Sequence, residues 1–198
     1  MNYTRNAIIK IFLEELESRS LDNITIKDII EKAGINRNTF YYHFKDIYDL
    51  IDKIFEEELQ KRLSEAVEEA TFYEEYKKAA TIFLEHRKAI IHMEHSKSKY
   101  VIYHYIEEIS NIYVERFVRR YAKEYDISEE GINFITYFYC SAINSNTIRW
   151  IKRGMPGYRD EFLELISTSF ESTIKEMIRN YILFEKTNTD KARAVPKK

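Results

Sequence analysis

The segment NRNTFYYHFK, residues 36–45, gathers four aromatic rings, one histidine, two amides, a threonine hydroxyl and two cations into ten positions. On a helix starting at Arg37, Phe40 and Phe44 lie four apart and share one face, where they pack as core. Arg37, Asn38, Thr39, Tyr41, Tyr42 and His43 are left on the other faces, and the first three sit at the positive end of the helix dipole. Such a set makes no covalent chemistry; its chemistry is donation to acceptors. A helix of this width fits the major groove of a duplex, where N-terminal residues reach base edges. The hydroxyls of Tyr41 and Tyr42 reach phosphate oxygens from rigid stems, and Lys45 adds a cation at the far end.

Other reactive side chains form weaker constellations. His92 and His95 share a helical face, but a metal ion needs a third ligand such as His86 or Glu94, and Glu94 points off that face, so no metal site is expected. Glu107 and Glu108 stand beside His104 at a spacing suited to acid–base work. Helical Glu–His pairs serve solubility far more often than catalysis, and no serine elbow, Walker loop or paired-cysteine motif accompanies them. No catalytic residue and no cofactor is expected.

Composition narrows the elements that position these groups. Four glycines and two prolines in 198 residues leave too little turn chemistry for many hairpins, and almost none for a glycine-cradled phosphate. An all-α chain follows, with 44% hydrophobic residues to build its core. The single cysteine, Cys140, excludes an internal disulfide framework and suits a reducing compartment. Charges interrupt every apolar stretch, including the N-terminus, so a cytoplasmic, soluble protein without a membrane partner is expected. Net charge is −2, and residues 1–50 hold seven Lys/Arg against eight Asp/Glu. A nucleic-acid reading therefore rests on where the cations sit rather than on their number.

The apolar spacing predicts about nine helices. Ile8, Ile11, Phe12 and Leu16 mark a first helix over 4–18. Thr25 and Asp28 form a shortened capping box, and Gly34 supplies a left-handed stop, bounding a helix of about nine residues. Asn36 caps a third helix from Arg37 to about Phe44, and a fourth starts near Asp46 and continues to Val67. Two short helices joined at Gly34-Ile35-Asn36 make a helix-turn-helix. Long helices follow: one through Tyr76 and Phe83 with a break at 86–88, one over 98–125, one from Ser128 to Gly154, and a last over 159–184. The expected domains are 1–46, a three-helix helix-turn-helix unit; 47–184, a helical bundle; and 185–198, a polar basic tail.

The stretch ITIKDIIEKAGINRNTFYYHFKDIYDL resembles the DNA-binding domain of the TetR family of transcriptional regulators, with the Thr-x-x-Asp-Ile start, the Ala-Gly-Ile turn and the Thr-Phe-Tyr-Tyr-His-Phe-Lys block in family order and spacing. The resemblance implies that Thr25, Thr39, Tyr41 and His43 meet phosphates, while Arg37, Asn38 and Tyr42 face the groove. The family's usual lysine three residues after the block's last phenylalanine is Ile47 here, and Lys45 is the substitute. RWIKRGM, Arg149 to Met155, resembles a subset with aromatic-rich C-terminal domains.

The resemblance further implies a homodimer on a double-stranded, pseudo-palindromic operator, acting as a repressor and released by a small-molecule effector. Its last two long helices would form a four-helix bundle across the two-fold axis. Ser141, Ala142 and Ser145 are small enough for close helix approach, and Phe162, Ile166, Phe170 and Met177 supply apolar area for that face. Sixteen tyrosines leave room for an aromatic cavity, for which Tyr103, His104, Asn111, Tyr137 and Asn144 are the candidate lining. A helical protein–protein adaptor that keeps the fold without operator binding is the alternative, consistent with the acidic balance of residues 1–50 and with Ile47.

Overall fold

The computed structural model describes residues 2–64, 70–157 and 160–194. Among these residues there are nine α-helices and no strand: α1 (Asn2–Ser18), α2 (Ile26–Ala33), α3 (Arg37–His43), α4 (Ile47–Ser64), α5 (Phe72–Glu85), α6 (Arg87–Glu94), α7 (Tyr100–Ala122), α8 (Glu129–Lys152) and α9 (Asp160–Ala194). A 3-10 turn, Leu21–Asn23, follows α1. No helix among them is long and apolar enough to cross a membrane.

Local signals set most helix ends. The Thr25 side chain accepts from the Asp28 N–H, the Asp28 carboxylate accepts from the Thr25 N–H at 2.9 Å, and Gly34 takes φ +63°. The break before α6 falls at His86. At the end of α8, Gly154 and Met155 both adopt left-handed φ (77° and 53°), and their N–H groups return to Ile151 and Trp150. The RWIKRGM segment is thus a helix stop, and the guanidinium of Arg87 donates to the Gly154 carbonyl at 2.5 and 2.9 Å.

The last helix overruns its expected end. Residues 185–194, expected as tail, continue α9 to Ala194. No glycine or proline interrupts the sequence between Pro156 and Pro196 except Gly157, so nothing covalent ends the helix, and Thr187 Oγ1 bonds back to the Leu183 carbonyl at 2.8 Å. Val67 and residues 195–198 lie outside the described residues.

Two compact units result. The first comprises residues 1–70, 78–105 and 150–156; the second 71–77, 106–149 and 157–198. The unit holding the helix-turn-helix therefore extends well beyond residue 46: α6 packs on α1, Arg5 of α1 pairs with Glu57 of α4, and Arg87 of α6 holds the end of α8. In the first unit, Ile8, Phe12 and Leu16 are buried at the four-residue spacing that made α1 legible. In the second, the core is aromatic: Phe72 stacks on Phe170 at 4.4 Å, Phe117 meets Phe72 edge-on at 5.3 Å, and Tyr139 meets Phe170 at 4.6 Å.

Cys140 lies buried in that second core. Burial, reinforced by the charges of Glu107 and Glu115, pushes its thiol up to about 12. At pH 8 roughly one such thiol in ten thousand is ionised, against a sizeable fraction for an exposed cysteine. Labelling with dithiobis-nitrobenzoate should therefore proceed in the native protein no faster than unfolding, and within minutes in denaturant. Fast labelling of native protein would show that the α7–α9 core opens locally.

Candidate nucleic-acid interface

At seven residues, α3 is far too short to be stable alone, so its neighbours decide its position. Phe40 and Phe44 are 0% and 1% exposed, 5.8 Å apart between ring centroids. Cations cover Phe44 from two helices, Arg5 of α1 at 5.5 Å and Lys53 of α4 at 5.3 Å. Lys53 also donates to the His43 carbonyl at 3.0 Å, supplying a partner to the C-terminal end of α3. At the other end the Asn36 side chain accepts from the Thr39 N–H at 2.8 Å.

A second capping arrangement closes the turn into α4. The Asp49 N–H donates to Asp46 at 2.9 Å, and the Lys45 N–H donates to Asp49 at 2.8 Å. Asp46 and Asp49 repeat the three-residue spacing of Thr25 and Asp28, so this cap too has a local signature in the sequence. Lys53, four residues after Asp49, bonds it at 2.9 Å.

An ionic network centred on one buried carboxylate ties α1 to α2, without any apolar pattern to announce it. Glu15 of α1 is 4% exposed and pairs with both Arg19 and Lys32, the latter on α2. Arg19 reaches on to Asp28 at 3.1 Å. The Lys32 hydrogen bond is the main cause holding the Glu15 carboxyl below its ordinary value, against the opposing effect of burial. Asp28 is likewise lowered, chiefly by its hydrogen bonds from Thr25.

The outward face of α3 carries what its residue types promised. Arg37, Asn38, Tyr41 and Tyr42 are exposed, the last by 67%, and His43 and Thr39 are half-buried. The Arg37 guanidinium lies 5.9 Å over the Tyr41 ring one turn on, and Tyr42 meets His43 edge-on at 5.0 Å. Lys45 is exposed past the helix end. Two hydroxyls differ from the rest: Thr25 Oγ1 donates to Asp28 at 2.7 Å and Thr39 Oγ1 donates to Asn36 at 3.0 Å. Both protons are spent on helix caps. Ile47 is half-buried at the start of α4 and offers no donor, and Lys53 is committed inward.

The other sequence-derived sets fare differently. His104, Asn111 and Tyr137 are exposed, Tyr137 by 72%, while Tyr103 and Asn144 are half-buried. Burial, with the facing Glu94 carboxylate, raises the Tyr103 phenol above its ordinary pKa. His92 Nδ1 is engaged by the Leu16 carbonyl at 2.6 Å. Ser141, Ala142 and Ser145 are exposed on α8, Phe162 is exposed on α9, and Ile166 and Met177 are half-buried against the second core. Phe170, expected on the face between subunits, instead fills that core at 2% exposure, because its ring completes the stack with Phe72 and Tyr139. Phe134, Phe138 and Leu165, not singled out from sequence, are 50%, 52% and 63% exposed.

Residues 8–54 match the family described as bacterial regulatory proteins, tetR family, and residues 70–172, just over half of the chain, match the transcriptional regulator C-terminal region. The chain belongs to the TetR family of transcriptional regulators. Over 62 residues this TetR-family chain is 31% identical to the HTH-type dhaKLM operon transcriptional activator DhaS of Lactococcus lactis subsp. lactis, and the chain spans 33% of the length of that curated relative. The solved dihydroxyacetone kinase operon activator DhaS shares the fold with a TM-score of 0.67 at 20% identity, over 91% of this chain and 99% of that one. A tetR-family transcriptional regulator from Streptomyces coelicolor aligns with a TM-score of 0.57 at 13% identity, over 92% of this chain and 90% of that one.

The lowered carboxyls make the TetR-family reading unit acid-sensitive in a defined direction. Their stabilisation is complete above the ordinary carboxylate values, about 4, and drains away as pH falls toward their lower folded values. Urea unfolding followed by the single tryptophan, Trp150 of the same unit, should show Glu15→Gln costing about 1–3 kcal/mol at neutral pH and less in acid. An equal cost at both pH values would remove Glu15 as the acid-sensitive group.

Proposed function

We propose that this regulator binds a pseudo-palindromic operator as a homodimer and represses transcription by occluding polymerase, with operator affinity set by a small-molecule effector. The supporting observation is the outer face of α3, where Arg37, Asn38, Tyr41 and Tyr42 stand exposed over buried phenylalanines. Arg37, Asn38 and Tyr42 face base edges. Tyr41, His43 and Lys45 bind the backbone. Thr25 and Thr39 join them only by turning their hydroxyl protons away from Asp28 and Asn36, so their share of phosphate binding is the smaller.

The homodimer rests on α8. Phe134, Tyr137, Phe138, Ser141, Ala142 and Ser145 recur at spacings of three, one, three, one and three, which is one helical face, and all six are exposed. Three rings beside three small residues form a patch that a second copy covers by two-fold symmetry, with Phe162 and Leu165 of α9 adding apolar area. Two reading helices would then enter successive major grooves about 34–36 Å apart. The Lactococcus relative is an activator by name, so the sign of regulation is read directly by comparing transcript levels with and without the protein.

Selection of bound genomic fragments should yield a single inverted-repeat motif whose binding weakens steeply with salt. A lack of sequence preference, with little salt dependence, would favour the adaptor. On that motif, Arg37→Ala should relax the preference at one base position by about 1–3 kcal/mol, and Tyr41→Phe should weaken all duplexes alike. Unchanged preference would remove Arg37 from the base-reading set. Phe138→Glu should give a folded monomer in sedimentation, with operator affinity lost; a persistent dimer would move the interface elsewhere.

A further inference from the structure

Two consecutive peptide groups at the exit of α3 are held by one ion pair of α4. Phe44 leaves the helix in an extended conformation (φ −140°, ψ 136°), so the groups on either side of it find their partners outside α3. On one side the Lys53 ammonium donates to the His43 carbonyl at 3.0 Å. On the other, the Lys45 N–H donates to Asp49 Oδ2 at 2.8 Å. Lys53 reaches that same carboxylate oxygen at 2.9 Å from one helical turn further along α4. His43, Lys53, Asp49 and Lys45 thus close a ring of hydrogen bonds around Phe44, whose side chain lies 5.3 Å from the ammonium.

Either bond alone would cap a helix end. Together they fix both peptide groups that flank Phe44, and with them the direction in which the chain leaves α3. His43 and Lys45, whose backbones make the ring, are two of the three residues assigned above to phosphate contact. Ile47, just beyond them, offers no donor, so contact at this end of α3 falls on the exposed Lys45. A cation on a freely turning chain loses entropy when it is ordered on a ligand, and one on a fixed backbone loses less.

We propose that Lys53, paired with Asp49, is a positioning residue for operator binding: it aims His43 and Lys45 at the phosphates without touching the nucleic acid itself. Its ammonium is engaged by a carbonyl, a carboxylate and a ring. The pair carries one charge of each sign, so its contribution to affinity is geometric rather than coulombic. The role in operator binding rests on α3 being the DNA reader; the restraint on the backbone of the free chain does not.

Binding of full-chain variants to the selected operator across a range of salt concentrations tests the role. Lys53→Met should lower the affinity of the folded protein about tenfold, for operator and random duplex alike, because backbone contacts carry no sequence information. The slope of log affinity against log salt should stay that of the wild type, whereas Lys45→Ala should reduce it by about one. Lys53→Arg, which keeps the charge and the donors, should restore most of the loss. The double variant Lys53→Met, Asp49→Asn, whose net charge equals that of the wild type, should bind no more weakly than Lys53→Met alone, since the two residues act as one. Amide hydrogen exchange gives a readout free of DNA: the Lys45 amide should exchange about five- to tenfold faster in Lys53→Met, the worth of one hydrogen bond, with the Ile29 amide of α2 unaltered. Should Lys53→Met fail to fold, Lys53→Gln is read in the same assays. Unaltered operator affinity in the folded variant would leave Lys53 purely stabilising, and a reduced salt slope would make it a phosphate ligand; either overturns the positioning role. Unaltered exchange at Lys45 overturns the restraint. If exchange quickens while the wild type selects no DNA sequence, the restraint stands and the DNA-reading proposal falls, taking the role in operator binding with it.

Discussion

A seven-residue helix cannot hold itself in water, and everything proposed for this chain depends on how α3 is held. Phe40 and Phe44 bury two rings beneath it, Lys53 takes its terminal carbonyl, and Asn36 caps its first turn. The side chains above are left to solvent because those below are spent. The same economy explains why a locally acidic sequence can present a donor-rich face: Lys32 and Lys53 are paired with Glu15 and Asp49, while Arg37 and Lys45 face out. Charge count and charge placement are different quantities, and only the second bears on recognition.

The ionic network under the helix-turn-helix has a mechanical reading as well as an energetic one. A buried carboxylate with two cations is costly to desolvate and gains its stability only when its geometry is kept. That geometry fixes α1 to α2 at a few atoms, so displacement of α1 is displacement of the reading unit. On its other side α1 packs against α6, where His92 Nδ1 meets the Leu16 carbonyl at 2.6 Å.

The second unit shows how aromatic residues divide between two tasks. Phe72, Phe117, Tyr139 and Phe170 interlock as a core, while Phe134, Tyr137 and Phe138 on the same α8 turn away from it. A helix that places Tyr139 inward must place Phe138 about 100° away, so consecutive aromatics cannot all be core. The exposed rings and the small residues in line with them form the face that the proposed homodimer would cover.

Caps, breakers and four-residue spacing were legible in the chain itself. Thr25, Asn36 and Gly34 each act on atoms within a few residues, so the ends of α2 and α3 are legible locally, as is the separation of the two phenylalanines of α3 from its polar face. What tertiary structure alone decided involves groups distant in sequence. Glu15 is a core residue because Lys32 lies seventeen positions on, Phe170 is core because Phe72 folds onto it, and Tyr137 faces solvent although its spacing suits a cavity. His92 is a further case: its ring meets the Leu16 carbonyl from 76 positions away, and nothing in the neighbours of either residue announces that contact.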